Sequence, residues 1–516
     1  MGENRKSVCV VGAGLSGLAT AKCMLDAGFK VICYDENESI GGKWNKDSLD
    51  YIPRSIITNV PKTSMCFSDF PPNNYPLFMS AENFYKYLNS YSDHFNLQSV
   101  IKLGCSVLEV EPEDALLADT KWKVTIKPKC CASEVKLFDV VLVCSGFYKK
   151  PYIPKKVKQV LSEFKGEIIH SRHFKDSIQY KNKRVLVYGL GNTGAFNKLL
   201  IILLILHDVA CDLSNQNETT HVSTCRGAVV VPRILKDGSI FLNKSKLRLL
   251  DYIPDFIQRF FFKYFLKKMS SHIYNQDVLG LSSSMLSSVC INDFLCMQIL
   301  FGKIVIKPEI LKTTGSTVFF SNNTFLKDVD TIVLCTGYKR QFSFLSDKVV
   351  NIKHNGKFIP LYKNIFYPKF YKSMAFIGMV SLNGPYTLMA EMQARYAAQV
   401  FKGIIKLPDE NKMNADIDKQ FQYLKHHYSD LKEINFIPGS AWLYFEDLAK
   451  GIGCNISLVA IFFKDPKLAW HLFMCRSIFE YRLFGPNSWA GAREAILNES
   501  SCLYDYLKDS RNVCEI

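Results

Sequence analysis

Two glycine-rich turns constrain the fold of this chain more than any other feature of its sequence. Each turn follows an apolar run with the length of a strand and precedes a run with helical periodicity. The first turn carries Gly12, Gly14 and Gly17, and the second carries Gly189, Gly191, Asn192, Thr193 and Gly194. A strand, a glycine turn and a helix in this order form the phosphate-binding corner of a dinucleotide-binding unit. The same pattern also occurs in ordinary turns, so the surrounding sequence decides.

The plan of the first turn is repeated at the second. Apolar strands that end in a small-residue turn follow at 139–146 and at 330–337. The separation is 134 residues from Gly12 to Gly146 and 148 residues from Gly189 to Gly337. Two units of similar size in series predict an α/β protein with two Rossmann-like dinucleotide-binding domains.

An acidic residue supports the assignment of the first turn. The second strand of this unit, at 29–34, ends in Asp35, which lies 23 residues after Gly12. Rossmann-type sites place a carboxylate about 20 residues after the turn, where it accepts hydrogen bonds from a ribose. We therefore interpret the segment from Gly12 to Asp35 as a dinucleotide site.

Composition excludes several other classes of protein. Hydrophobic residues make up 48% and charged residues 22% of the chain, which is incompatible with a disordered chain. The net charge of +16 would suit nucleic acid, an anionic membrane or phosphate-rich cofactors. Its lysines are dispersed and follow no nucleic-acid-binding pattern, so no nucleic-acid partner is expected. The 17 cysteines contain no CxxC pair or metal-type spacing, which predicts a reducing compartment and no metal site.

Several segments resemble the flavin-containing monooxygenases of animals. They read DENESIGGKW at 35–44, SIITNV at 55–60, CFSDFPP at 66–72, FKGEIIHSRHF at 164–174, LCTGYK at 334–339, AEMQARY at 390–396 and FKDPKLAW at 463–470. These segments are distributed along nearly the whole chain, so the resemblance is not confined to one domain.

The resemblance implies FAD at the first turn, with Gly42 and Trp44 as further binding residues, and NADPH at the second. It implies oxygenation of nucleophilic amine or sulfide substrates by dioxygen through a C4a-hydroperoxyflavin. That chemistry needs a dry cavity and a hydrogen-bond donor, and Asn59 stands at the family's position for the donor. Taken alone, an asparagine before Val60 and Pro61 is more typical of a turn.

Two further residue roles rest on the same resemblance. Arg226 ends the strand after the second turn, where a guanidinium can pair with the 2'-phosphate of NADPH. As an isolated residue it would be read as a surface charge. The family signature at 164–174 ends in Phe174 instead of the usual tyrosine. That signature is either a packing element at the domain junction or a direct part of the active site.

The implied domain order inserts the NADPH domain into the FAD domain. We predict a first part of the FAD domain at 1–160, the NADPH domain at 161–335 and the second part of the FAD domain at 336–445. The region 446–516 follows without a hydrophobic anchor. The basic, proline-containing stretch at 149–158 has the composition of a connection between domains.

The second unit carries an apparent insertion of twelve residues at 196–207. Its apolar run, 199–206, is far shorter than the roughly 20 residues of a membrane helix. Without it, the spacing from Gly189 to Gly337 would be 136 residues, close to that of the first unit. If the insertion lengthens the helix, we expect Val209, Ala210 and Leu213 to turn away from the sheet and NADPH affinity to decrease. If it is extruded as a loop instead, its exposed aliphatic run should promote aggregation or membrane adhesion.

A membrane contact is predicted at 254–269, where aromatic and basic residues alternate at helical spacing. This segment either lies on an anionic membrane or packs as a core helix with its lysines in water. Family resemblance implies the cytosolic face of the endoplasmic reticulum membrane. Since no C-terminal anchor is read from the sequence, the cytoplasm is the alternative location.

Two rival functions remain open at this stage. The same flavin intermediate could perform Baeyer–Villiger oxygenation of ketones, which uses the same motifs. Alternatively, the insertion could spoil the hydride-donor site and leave a flavin-binding protein without turnover.

Overall fold

The computed structural model describes residues 5–48, 52–146, 149–190, 200–224, 229–253, 257, 264, 275, 277–281, 289–346, 349–352, 358–382, 384–427, 435–437, 440–502 and 505. For residues 190, 200–207, 244, 245, 251 and 252 it describes the backbone alone.

The first 160 residues form a parallel sheet with an antiparallel sheet beside it. The elements are β1 (Ser7–Val11), α1 (Leu15–Asp26), β2 (Lys30–Tyr34), α2 (Ala81–His94), β3 (Ile101–Lys102), β4 (Cys105–Pro112), β5 (Trp122–Pro128), β6 (Glu134–Phe138), β7 (Val140–Val143), β8 (Lys150–Pro151) and α3 (Lys155–Val160). Strands β3, β2, β1 and β7 pair in parallel, in that order, whereas β4, β5 and β6 form the antiparallel sheet. All four residues of β7 are buried, as expected for a central strand covered on both faces.

A second parallel sheet follows in the region 161–335. Its elements are β9 (Glu167–His170), β10 (Val185–Leu190), α4 (Leu200–Gln216), β11 (Thr220–Thr224), β12 (Val229–Val231), β13 (Val289–Ile291), α5 (Leu295–Leu300), β14 (Ile304–Lys307), β15 (Ile310–Thr314), β16 (Thr317–Phe320), β17 (Phe325–Leu326) and β18 (Thr331–Leu334). The strand order is β14, β11, β10, β18, β9. The first and second sheets thus share one design, with a glycine turn after a central strand.

The chain then returns to the first sheet. The remaining elements are β19 (Tyr338–Lys339), β20 (Met374–Phe376), α6 (Tyr386–Phe401), α7 (Glu410–His427), α8 (Ala441–Ile452), α9 (Leu458–Lys464), α10 (Pro466–Met474) and α11 (Ala492–Leu497). Strand β20 pairs in parallel with β7, and α6 packs on α1 within the main hydrophobic core. The second sheet is therefore inserted into a domain that is completed by later sequence, as the sequence predicted.

The two connections between the sheets pair with each other. Strand β8 on the way out and strand β19 on the way back form a short antiparallel pair, Lys150 opposite Lys339 and Pro151 opposite Tyr338. Because both crossings share backbone hydrogen bonds, the junction is a two-stranded link and not two independent linkers.

The inserted segment lengthens α4, but the expected rotation of its downstream residues is wrong. The helix runs without a break from Leu200 to Gln216. Val209, Ala210 and Leu213 are nevertheless 0% exposed, and they pack in the core of the second sheet. Burying these side chains keeps 208–216 docked on the sheet, so the added turns extend only the N-terminal side, by about 12 Å for eight residues. Strand β11 likewise keeps an unbroken parallel register with β14.

Candidate active site

A cavity of about 350 Å³ lies at the carboxyl ends of the first sheet. Residues that end three neighbouring strands line it, namely Val11, Gly12, Tyr34, Asp35, Cys144, Ser145 and Gly146. Nucleotides bind at this edge in open parallel sheets, where the strand order reverses. The sheet therefore positions the cavity where the first glycine turn was predicted to bind a dinucleotide.

The three glycines of the first turn differ in what requires them. Gly12 has a φ of +104°, and a Cβ there would lie 2.8 Å from the Cys144 carbonyl oxygen. A Cβ on Gly17 would lie only 1.7 Å from the carbonyl oxygen of Gly12. Gly14 is different, because its nearest neighbour would be the Cα of Gly42 at an ordinary 3.6 Å. Gly12 and Gly17 are thus required by the turn itself, whereas Gly14 lines the cavity and has room for a Cβ in ordinary contact with Gly42.

Asp35 lines the cavity and also holds the glycine turn in place. Its Oδ2 accepts a hydrogen bond from the backbone N–H of Ala13 at 2.6 Å. Its Oδ1 accepts from the backbone and side-chain N–H groups of Asn37, at 2.9 and 2.8 Å. Within the described residues Oδ2 accepts only the Ala13 bond, so it can accept one further hydrogen bond. A contact from Asp35 to a ribose remains a proposal, and the observed role is to order the turn.

The GGKW segment forms a short 3₁₀ helix, Gly42–Trp44, opposite Gly14. Trp44 lines the cavity and packs edge-on against Phe84, with ring centroids 4.6 Å apart. Lys43 also lines the cavity, and its burial lowers the pKa of its ammonium group to about 8. A cation next to the glycine turn suits a ligand that carries phosphate.

Asn59 faces the same cavity with an unsatisfied side chain. It is 6% exposed, and neither its Oδ1 nor its Nδ2 atom has a hydrogen-bond partner within the described structure. A buried amide without partners is costly, and such a group calls for a ligand that it can bind. The apolar part of the cavity lining comprises Ile52, Ile56, Ile57, Val60, Met65, Leu382 and Met389.

The signature at 164–174 joins the two domains and reaches the cavity. The Nδ1 atom of His170 accepts the backbone N–H of Arg172 at 3.2 Å, so Nε2 carries the proton and donates to the Gly337 carbonyl at 3.0 Å. Phe174 is fully buried and stacks on Tyr180, with ring centroids 5.6 Å apart. These contacts support the packing interpretation for His170 and Phe174.

Three residues of the cavity wall were not singled out by sequence. Ser171 and Arg172 follow β9, and Tyr338 opens β19, so the crossing segments help to close the site. Their place within the motifs at 164–174 and 334–339 was the available signal. A sheet topology is needed to bring them near Gly12.

Gly189, the first residue of the second glycine turn, has the same geometry as Gly12. Gly189 has a φ of +129°, and a Cβ there would lie 2.5 Å from the Cys335 carbonyl oxygen, as Gly12 approaches Cys144. Gly191, Asn192, Thr193, Gly194 and Arg226 lie outside the described residues. A predicted site at these positions thus rests on sequence.

Metal and disulfide chemistry find no support in the part of the chain that the structure describes. The described residues contain no group of three or more histidine, cysteine or acidic side chains that could hold a metal ion. Fifteen cysteines are described, and all are free thiols. No helix within the described ranges is both long and apolar enough to cross a membrane.

The first glycine turn and the Asn59 amide fit a flavin nucleotide. The first glycine turn and Lys43 match the phosphate end of such a ligand. The unpartnered Asn59 amide matches its polar ring system. Fold and site together define a two-domain, dinucleotide-binding flavoprotein oxidoreductase.

Comparison with known proteins gives the family. The family model described as flavin-binding monooxygenase-like matches residues 5–515, and the chain belongs to this family. It is 33% identical, over 98% of its own length and 93% of the relative's, to the N-oxide-forming dimethylaniline monooxygenase 2 of Mus musculus. The protein is accordingly a flavin-dependent monooxygenase.

Solved structures share the fold at low sequence identity. The S-allyl-L-cysteine S-oxygenase of Allium sativum superposes with a TM-score of 0.64 at 19% identity, covering 90% of this chain and 94% of that one. The cyclohexanone monooxygenase of Rhodococcus sp. Phi1 bound to NADP+ gives 0.59 at 14% identity, covering 87% and 98%. The predicted fold class, with one nucleotide-binding domain inserted into another, is confirmed.

Proposed function

We propose that this protein uses FAD and NADPH to oxygenate nucleophilic nitrogen or sulfur atoms of small organic molecules with dioxygen. The observation that carries the proposal is the Asn59 amide, which is buried and unpartnered within the described structure in the cavity that the first glycine turn also lines. The name of the Mus musculus relative refers to N-oxide formation and that of the Allium sativum protein to S-oxygenation.

The first turn would hold the FAD pyrophosphate. Gly14 and Gly42 line the cavity without a side chain, and Lys43 supplies positive charge there. The N-terminus of α1 begins at Leu15, immediately after Gly14, and adds the partial positive charge of a helix end. Trp44 would bound the ligand on the side of Phe84.

FAD, when bound and reduced by NADPH, would supply the chemistry that activates dioxygen. Residues of this chain provide the surroundings for that reaction. The apolar side chains near Asn59 exclude water, which would otherwise divert the oxygen to hydrogen peroxide. The Asn59 amide donates a hydrogen bond where negative charge develops, and a donor of this kind is worth roughly 3 kcal/mol.

NADPH would bind at the second turn, where Gly189 opens the phosphate corner. The Arg226 guanidinium would select NADPH over NADH through the 2'-phosphate. Arg226→Ala is expected to weaken NADPH binding by at least about tenfold and to leave NADH binding nearly unchanged. Equal losses for both nucleotides, measured by initial-rate kinetics, would assign Arg226 a general structural role.

Anaerobic mixing with NADPH tests the function most directly. Reduction of the bound flavin, seen as loss of its visible absorbance, requires both nucleotide sites. A protein that retains FAD but is not reduced would be a flavin-binding protein without turnover. Product analysis with a methyl sulfide and a cyclic ketone then separates heteroatom oxygenation, which we expect, from Baeyer–Villiger oxygenation.

We also propose a peripheral membrane location. Most of the predicted contact at 254–269 lies outside the described residues, and of its side chains Tyr264 is 61% exposed. A second candidate surface lies on α9 and α10, where large apolar side chains face outward. This aromatic surface consists of Val459, Phe462, Phe463, Trp470, Phe473 and Met474.

Basic residues flank the aromatic surface. Phe463 is 82% exposed and Trp470 62% exposed, with Lys464 and Lys467 exposed between them. Rings beside lysines suit the headgroup region of an anionic bilayer. The cytosolic face of the endoplasmic reticulum is the proposed membrane, with the cytoplasm as the alternative.

Sedimentation with vesicles tests this location. The wild-type protein should sediment with phosphatidylcholine vesicles that contain phosphatidylserine, and Phe463→Ser with Trp470→Ser should reduce the bound fraction several-fold. Phe301→Ser is the matched control, because Phe301 is 66% exposed on the second domain. Equal binding by all three proteins would exclude the aromatic surface as a membrane contact.

A further inference from the structure

An arginine of the second domain holds the backbone that leads to Asn59. Arg233 follows β12 and is 5% exposed. Its Nε atom donates to the Thr58 carbonyl oxygen at 3.2 Å, and its Nη2 atom donates to the Ile57 carbonyl oxygen at 3.2 Å. The guanidinium thus spans the two carbonyl groups that precede Asn59.

The guanidinium is itself held rigidly. Its Nη1 atom lies 2.6 Å from Oδ2 of Asp293, whose Oδ1 accepts the backbone N–H of Arg233 at 2.8 Å. The guanidinium carbon also lies over the Phe78 ring, 5.9 Å from the ring centroid. Because the Asp293 carboxylate and the Phe78 ring already fix the guanidinium, little further side-chain entropy is lost when it binds the two carbonyl oxygens.

The rest of the Asn59 segment is held within its own domain and by α4. The Thr58 N–H donates to the Met79 carbonyl at 2.8 Å, and the Met79 N–H donates to the Thr58 hydroxyl at 2.9 Å. A side-chain hydrogen bond also joins Ser55 to Asp212 of α4. Ser55, Ile57 and Thr58 therefore all contact the inserted domain just before Asn59.

We propose that Arg233 is a positioning residue for oxygenation, which makes the orientation of the Asn59 amide depend on the placement of the second domain. No group on Arg233 needs to touch substrate or flavin, because it acts on the backbone of Ile57 and Thr58. The inference rests on the proposed role of Asn59 as the donor in the cavity.

Arg233→Lys and Arg233→Met test the proposal in the full-length, FAD-loaded enzyme. A lysine keeps a positive charge beside Asp293 but lacks the planar fork that reaches both carbonyls. We expect both variants to release about fivefold to tenfold more hydrogen peroxide per product formed. The KM for NADPH and the rate of anaerobic flavin reduction should change by less than about twofold.

Arg248→Lys is the matched control for loss of a buried arginine. Arg248 is 4% exposed and bonds to Glu446, Glu480 and the Leu472 carbonyl, away from the Asn59 segment. Its substitution should lower thermal stability without changing the peroxide fraction. If Arg248→Lys and Arg233→Lys raise the peroxide fraction equally, Arg233 acts only through stability and the proposal is overturned.

A double mutant separates this inference from the proposed function. If Arg233 acts through Asn59, then Arg233→Lys added to Asn59→Ala should give no more peroxide than Asn59→Ala alone. Additive effects would overturn the coupling between the two residues. If Asn59→Ala instead releases no more peroxide per product than wild type, Asn59 has no part in the proposed function. Should the Arg233 variants fold poorly, Asp293→Asn, which loosens the guanidinium and keeps the fork, must raise the peroxide fraction by a smaller factor.

Discussion

The Nε2 atom of His170 lies 3.0 Å from the carbonyl oxygen of Gly337, so the chain entering the second sheet is bonded to the chain leaving it. This contact needs a neutral imidazole that donates through Nε2, since Nδ1 accepts from Arg172. Burial lowers the pKa of His170 to about 4. The junction between the domains is therefore expected to respond to acid.

The sign of that response follows from proton linkage. Between about pH 6.5 and 4 the unfolded chain binds a proton at His170 and the folded chain does not, so stability falls as the pH drops through this window. In wild type, His170 should lower the free energy of unfolding by about 2 kcal/mol between pH 7 and pH 5, and His170→Gln should remove this decrease. Unfolding by urea at pH 7 and pH 5 measures the difference, and His221, whose pKa burial also lowers to about 4, remains in both proteins. Identical pH dependence in the two proteins would contradict the prediction.

Gly14→Val should fold and lose FAD. A Cβ at this position would lie 3.6 Å from the Cα of Gly42, an ordinary contact, and the methyl groups of valine would occupy the space proposed for the pyrophosphate. Gly17→Ala should instead disrupt folding, because its Cβ would overlap the Gly12 carbonyl oxygen. Flavin absorbance and circular dichroism of both proteins check the contrast. Normal flavin content in Gly14→Val would refute the assignment of the first turn.

The Asn59→Ala enzyme should keep FAD but should no longer couple NADPH oxidation to oxygenation of the substrate. Removal of one preorganised donor costs roughly 3 kcal/mol, which corresponds to about a hundredfold decrease in productive oxygenation relative to peroxide release. Asn217→Ala is the control, because Asn217 is also buried with an amide that lacks partners within the described structure, and it does not line the cavity. Peroxide and product are measured together per NADPH consumed, and a fully coupled Asn59→Ala enzyme would speak against the donor role.

FAD affinity of the apoprotein should decrease as the pH rises through 8. Burial lowers the pKa of Lys43 to about 8, so its ammonium group loses its proton there and no longer attracts phosphate. The decrease should approach about tenfold per pH unit above pH 8, and Lys43→Met should abolish it. Lys149→Met serves as the control for loss of a lysine that lines the cavity.

Deletion of 196–207 should leave the second sheet folded and strengthen NADPH binding. Residues 208–216 already dock on the sheet through Val209, Ala210 and Leu213. The shortened helix would begin beside the second turn, which places its partial positive charge near the phosphate. NADPH affinity and sedimentation of both proteins test this, and impairment of both properties would identify the segment as a required structural element.

The sequence by itself determined the two nucleotide-binding units and the first glycine turn. Gly12, Gly17 and Gly189 are needed because backbone carbonyls approach them closely, and that local requirement leaves a readable pattern. Asp35 was also found by spacing, although its observed bonds go to Ala13 and Asn37. Local geometry of this kind depends on neighbours in the chain.

Tertiary structure decided the contacts between distant segments. Arg233 reaches Ile57 and Thr58 across more than 170 residues, and no local pattern indicates that pairing. The expectation from sequence for α4 was wrong, because the buried side chains at 209, 210 and 213, and not the position of the second turn, fix the rotation of the helix. Burial of Val209, Ala210 and Leu213 sets the rotation of that helix, and burial is a property of the folded sheet.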